Sequence, residues 1–229
     1  MLADAVLIFG AYILGSFPHL SLLAKLRNVN LDGDFHQNLW HRAGKAIGVI
    51  GILGEFTKGI IPVLIGKGLD FNLTTIAFAG LAAICGQMWP IFSKFDGEKG
   101  NSIAIAMVIA LVPKIALMAI PIIIIALIIR TVPRLVPKAC SPSDNYIIGG
   151  SYSRSLPLGM AIYFFILPFA AWYFHEAIEI IWCTATLFIL IMIRRLTAGL
   201  RRDLEASNNM KSVFLKRLLY DRATAMWRK

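Results

Sequence analysis

Charge is scarce in this chain. Asp, Glu, Lys and Arg make up 16% of its 229 residues, while 58% are hydrophobic. Soluble domains carry about 25% charge, so an ordinary water-soluble fold is excluded. Cysteine is equally sparse. Cys85, Cys140 and Cys183 stand far apart, and none belongs to a C-x-x-C or similar spacing. That excludes a disulfide framework and a standard zinc site. Acid is rarer than base, 13 residues against 23, for a net charge of +10. In a soluble chain that excess would point to nucleic acid. Here the basic residues flank apolar runs, where they orient spans and meet anionic lipid. Nucleic acid is therefore not expected as a partner. Met1 to Asp4 lack the positive start of a secretory signal, and no small-residue cleavage site follows. The first apolar run is predicted to stay as a span. There is no internal repeat, which argues against a transporter built from two related halves.

What the chain does have is apolar runs near the roughly 20 residues that a helix needs to cross a bilayer. They cover about Ala5 to Ala24, Ala46 to Gly66, Phe71 to Ser93, Asn101 to Ile129, Leu156 to Phe174 and Ile178 to Ile193. The fourth is long and contains Pro113 and Lys114. Charge decides how it is divided. If it crosses twice and the N-terminus lies outside, the Lys and Arg residues fall in cytoplasmic segments, save Lys67 and Lys114 outside and Lys58 within the membrane. A single crossing would break that positive-inside bias. The expected fold is all-α and polytopic, with about seven transmembrane helices, the N-terminus outside and the C-terminus cytoplasmic. Residues 1–193 form the membrane domain. Residues 194–229 form a basic cytoplasmic tail, partly an amphipathic helix. In that tail Asn208 and Asn209 are candidate caps. Val213, Phe214, Leu218 and Leu219 could line one face, with Lys211, Lys216, Arg217 and Arg222 near it. This pattern fits a helix on the inner leaflet, and equally a plain charge cluster that stops transfer.

Three regions hold candidate chemistry. The first is the loop Phe95-Asp96-Gly97-Glu98-Lys99-Gly100-Asn101-Ser102. Two glycines permit close backbone approach, Lys99 sits between them, and a helix start follows. Those are the parts of a phosphate cradle, or of a short re-entrant turn. The second is Glu55 and Lys58, three apart on one face of a span. They could be a structural ion pair, or Lys58 could meet substrate. The third is the loop Asp32 to Lys45, with His36, Asn38, His41, Arg42 and Lys45. Its histidines could be bases or interfacial residues, and Trp40 an interface anchor. Its spacing matches no standard metal site, so no metal is expected. His19, just after Pro18, reads as a hydrogen-bonded structural histidine.

The chain resembles the bacterial acyl-phosphate:glycerol-3-phosphate acyltransferases, small seven-span enzymes of phospholipid synthesis. Their G-S-x-P signature appears as Gly15-Ser16-Phe17-Pro18. Their D-x-x-K-G-x-x-P-V pattern appears as Glu55-Phe56-Thr57-Lys58-Gly59-Ile60-Ile61-Pro62-Val63. Their G-H-x-F/W-P-x-F-x-x-F-x-G-G-K-G motif appears as Gly86-Gln87-Met88-Trp89-Pro90-Ile91-Phe92-Ser93-Lys94-Phe95-Asp96-Gly97-Glu98-Lys99-Gly100. The order and near-spacing of all three over residues 15–101 are more specific than any one alone. The chain also departs from the family. Its first cytoplasmic loop keeps only Asn38 of G-S-G-N-x-G-A-T-N. Gln87 replaces the motif histidine, and Glu98 replaces a glycine. Ile189 and Met192 stand where the family carries an H-x-x-N pair.

The resemblance implies acyl transfer from acyl phosphate to glycerol 3-phosphate, giving lysophosphatidate, at the plasma membrane and without a cofactor. The candidate catalytic residues are Asn38 and Lys99, carried by the motifs, and His36, which with His41 could take the hydroxyl proton by its own chemistry. The candidate substrate-binding residues are Ser16, Lys58, Gly97, Gly100 and Ser155 from the resemblance, with Arg42 or Lys45 as the cation for a second phosphate. Gly51, Gly54, Gly80 and Gly86 could open a groove for the acyl chain, or pack helices closely. The alternatives are the same fold with another acceptor, and a noncatalytic lipid- or anion-binding membrane protein.

Overall fold

The computed structural model describes residues 1–29, 39–135, 155–205 and 210–220. His36, Asn38, Cys140, Asn208, Asn209 and Arg222 lie outside these. Every element among the described residues is helical. The first run forms α1 (Leu2–Ser16) and α2 (His19–Leu26). The break between them is Phe17, extended at φ −61° and ψ 123°, as a residue before proline must be. A short π-type turn (Leu39–Ala43) leads into α3 (Lys45–Gly68). Next comes α4 (Leu73–Met88), then a 3-10 turn (Ile91–Ser93). The start of α4 is capped by Asn72, whose side chain accepts the Thr75 N–H at 2.7 Å.

The apolar block after residue 100 is two helices, α5 (Asn101–Leu111) and α6 (Pro113–Leu135). The break falls where Pro113 predicts it. The lengths are unequal. Eleven residues of α5 rise about 16 Å at 1.5 Å per residue, about half of a 30 Å hydrocarbon core. The later runs form α7 (Ser155–Tyr173) and α8 (Ile178–Thr197), followed by α9 (Leu200–Glu205) and α10 (Met210–Tyr220). Six segments are long and apolar enough to cross a membrane: Leu2–Leu26, Lys45–Gly68, Leu73–Ser93, Pro113–Val132, Ser155–Tyr173 and Ile178–Thr197. The protein is a multi-pass membrane protein.

Residues 1–113 and 114–229 form two compact units. In the first, α1 packs on α4 and α3 packs on α5. Glycine makes the contacts. A Cβ on Gly15 would lie 2.0 Å from the Ala83 carbonyl oxygen, and one on Gly86 would lie 2.2 Å from that of Tyr12. The positions offered for an acyl groove are filled instead. Gly51 faces Leu20, Gly54 faces the His19 ring, and Gly80 faces Met107. Close packing is therefore the role these glycines have. The substitution Gly86→Val is expected to lose most folded protein, since overpacking costs about 1–3 kcal/mol or more and the obstacle here is backbone. By contrast, Gly10 has nothing within 4 Å of a built Cβ. Gly10→Ala is expected to hold or slightly raise the melting temperature. Thermal unfolding of both variants in detergent checks the pair. Equal behaviour would sink the contact argument.

In the second unit, α7 packs on α8, and α10 lies against both. The Lys114 ammonium sits 4.6 Å from the centre of the Phe174 ring, a cation–π contact. The Arg195 guanidinium donates to the Pro157 carbonyl at 2.8 Å. Arg217, read from sequence as flanking an apolar surface, turns inward. It donates to the carbonyls of Leu196, at 3.2 Å, and of Ala198, and pairs with Asp203. The end of α8 leaves carbonyls without helical partners and favours a cation, and Arg217 fills both needs.

Candidate active site

Pro18 stops α1 and leaves carbonyls at its end without the usual helical donors. Lys58, in the middle of α3, takes two of them. Its ammonium donates to the Gly15 carbonyl at 3.1 Å and to that of Phe17. Its third donor reaches the Gln87 side-chain oxygen at 3.0 Å. Three acceptors match the three N–H groups of an ammonium. Gln87 then donates through Nε2 to Glu55 at 2.9 Å. Glu55 and Lys58 are both buried, at 3% and 4% exposure. Their linkage through Gln87 gives each side chain the polar partner that burial demands. Sequence reasoning treated Gln87 only as a substituted histidine. Its bridging role joins residues 29 and 32 positions apart, and no local pattern signals that.

The Gly-Lys loop is tied to the same residue. The Gln87 carbonyl accepts the Glu98 N–H at 3.1 Å. Gly97 packs so closely that a Cβ would come within 2.2 Å of that carbonyl oxygen. Gly100 is left-handed at φ +72°, a conformation that favours glycine, and it opens α5 with no side-chain cap. Lys99 is half-buried between them. Gly15 to Ser21 face this loop across a cavity also lined by Gln87, Pro90, Ser93, Asp96, Gly97 and Glu98. The Ser16 hydroxyl is buried, at 1% residue exposure, with no hydrogen-bond partner. The Asn101 Oδ1 atom is likewise buried and unpartnered. A buried polar atom without a partner costs about 1–3 kcal/mol, so two beside one loop mark a place built for a ligand.

The other predicted residues are placed as follows. Arg42 and Lys45 are exposed, in the turn that packs on α3 and at the first residue of α3. Ser155 starts α7 in the second unit, where its hydroxyl donates to the Ala126 carbonyl at 3.0 Å. His36 and Asn38 lie outside the described residues. His19 holds the Gly51 carbonyl at 3.0 Å, the structural role expected of it. Among the described residues no three of His, Cys, Asp and Glu gather as metal ligands would.

Comparison with known proteins gives a consistent answer. The family described as glycerol-3-phosphate acyltransferase matches residues 5–203. A protein of that name from Geotalea daltonii is 36% identical over 133 residues, covering 56% of this chain and 69% of the relative. One from Aquifex aeolicus is 37% identical over 117 residues, covering 48% and 61%. One from Endomicrobium trichonymphae is 26% identical over 223 residues, covering 95% of this chain and all of the relative. In the stronger of these alignments the chain thus spans only about two thirds of the relatives' length. Among solved structures, the crystal structure of PlsY (YgiH), an integral membrane glycerol 3-phosphate acyltransferase in its lysophosphatidic acid form, superposes with a TM-score of 0.67. It is 25% identical and covers 89% of this chain and 93% of its own.

Proposed function

The chain belongs to the glycerol-3-phosphate acyltransferase family, and from that membership we propose that it acylates glycerol 3-phosphate, using acyl phosphate as donor. The observation that carries this reading is the cavity where Gly97 and Glu98 of the Gly-Lys loop meet the break at Ser16, with the Ser16 hydroxyl unpartnered. An acyl phosphate is a mixed anhydride and needs no covalent acyl-enzyme. The acceptor oxygen attacks the acyl carbon, the bond from that carbon to the phosphate oxygen breaks, and inorganic phosphate leaves with the hydroxyl proton. The protein must place the reactants and stabilise the developing oxyanion. Lys99 and the backbone of Gly97 and Gly100 hold one phosphate, with Ser16 donating to the bound substrate. Arg42 or Lys45 holds the second phosphate. His36 is the alternative proton acceptor, with Asn38 the other catalytic candidate of that loop. Lys58 supports the site by fixing the Ser16 turn. No cofactor is required.

The direct test is purified protein with acyl phosphate and labelled glycerol 3-phosphate, followed for lysophosphatidate. Absence of product with every acyl donor would remove the proposal and favour a noncatalytic relative.

We further propose seven crossings in the plasma membrane, α6 making a full-length one and the short α5 another where the bilayer thins to match it, with the N-terminus outside. Leu69 is exposed after α3, and Leu26 is exposed at the end of α2. In a background without Cys85, Cys140 and Cys183, an impermeant maleimide is expected to label Leu69→Cys in intact spheroplasts. Leu26→Cys should react only in inverted vesicles. The reverse pattern would overturn the orientation.

A further inference from the structure

The family match stops at residue 203, and α10, Met210–Tyr220, lies beyond it. This helix has two unlike faces. Val213 and Arg217, four residues apart and so on one side, are buried at 2% exposure each. Through the Arg217 bonds to Leu196, Ala198 and Asp203, that side is fixed at the end of α8. The start of α7 is at the same place, since Arg195 in α8 reaches the Pro157 carbonyl. So α10 stands where two membrane spans end.

The other face points away from the protein. Phe214, Leu215 and Leu218 are 38%, 61% and 39% exposed. At 100° per residue they and Leu219 occupy one continuous arc. Lys211 lies on that arc one turn earlier, and Lys216 borders it. Both lysines are exposed. An arc of large apolar side chains edged by ammonium groups has poor company in water. At the level where hydrocarbon gives way to headgroups it has both of its partners. The tail reinforces the sign, for residues 194–229 hold ten Lys and Arg against three Asp and Glu. We propose that α10 docks on an anionic phospholipid surface. Phe214, Leu215 and Leu218 enter the boundary of the acyl chains, and Lys211 and Lys216 reach lipid phosphates. Arg217 holds the helix to the last span while it does so.

The test uses the full chain, with its native cysteines replaced and a nitroxide on Leu215→Cys. The protein is reconstituted in phosphatidylcholine vesicles with and without phosphatidylglycerol. Collision with oxygen, which concentrates in lipid, is compared with collision with a water-soluble nickel chelate. With phosphatidylglycerol, oxygen should dominate. The double charge reversal Lys211→Glu, Lys216→Glu should shift the ratio toward nickel while leaving the melting temperature unchanged. A label equally open to nickel in both vesicles would overturn the proposal. So would a label shielded from both reagents, which would mean that another protein surface covers the arc. An oxygen-dominated ratio indifferent to phosphatidylglycerol and to charge reversal would refute the anionic partner.

Discussion

Lys99→Ala is expected to reduce acyl transfer by at least two to three orders of magnitude while expression and membrane insertion stay normal. The reason lies in how little else at the loop can hold a phosphate dianion. The start of α5 supplies N–H groups and about half a positive charge. Lys99 is the full positive charge between Gly97 and Gly100. Removing one preorganised donor to developing charge commonly costs about 10²–10³ in rate, and a charged donor should cost no less. Lys99→Arg should keep part of the activity, because a planar guanidinium is larger than the ammonium it replaces. Glu98, next to Lys99 in sequence and lining the cavity at Ser16, carries the opposite sign. Glu98→Gly should hold or raise the rate. Its N–H, which bonds the Gln87 carbonyl, remains after the change. Initial rates against glycerol 3-phosphate concentration separate these variants. A fully active Lys99→Ala protein would end the phosphate-cradle reading.

The second large effect is on stability. Lys58→Met leaves the Gly15 carbonyl and the Gln87 oxygen without this donor and the Phe17 carbonyl with only the His19 N–H. It also leaves Glu55 buried without the compensating charge. Breaking one side of a buried pair costs roughly 3–5 kcal/mol, a large share of any protein's stability. The expected result is a steep fall in folded yield and melting temperature. Adding Glu55→Gln removes the stranded carboxylate and should recover part of the loss. Recovery should stay incomplete, since the Gly15 carbonyl remains unsatisfied and that of Phe17 keeps a single donor. Gln87→Leu removes the bridge but no charge and should fall between the parent and Lys58→Met. Unchanged melting of Lys58→Met would contradict the hydrogen-bonded network.

Much of the fold was legible because proline and apolar length act locally. Pro18 and Pro113 mark breaks, and both breaks are found. Lys58 and Glu55 were conspicuous as charges in an apolar run. Their connection was not, because Gln87 comes from a different span. The glycines were ambiguous for the same reason. Whether Gly51 or Gly80 opens a groove depends on Leu20 and Met107, which no periodicity assigns to them. Arg217 was misplaced because the sequence reading put Val213 on one face with Phe214, Leu218 and Leu219. In the structure Val213 leaves that face and takes the arginine inward. The cavity joins parts of two of the sequence motifs, Gly15 to Pro18 and Gln87 to Glu98. The unpartnered Ser16 and Asn101 oxygens required coordinates.

The Lys58 hydrogen bonds also impose an order on biosynthesis. Ribosomes deliver α1 to the membrane before α3, and α4 only later. When α3 arrives it brings two ionisable side chains into lipid, and a central lysine alone raises insertion cost by about 2.5–3.5 kcal/mol. The Gly15 and Phe17 carbonyls are already there to receive the ammonium. Gln87 is not, so the Glu55 carboxylate must wait for its amide donor until α4 has been synthesised. During that interval the acid is inside the bilayer without the Gln87 amide. A pause in translation with α3 already in the bilayer and Gln87 still inside the ribosome would prolong that exposure, whereas one after α4 has entered the membrane would not.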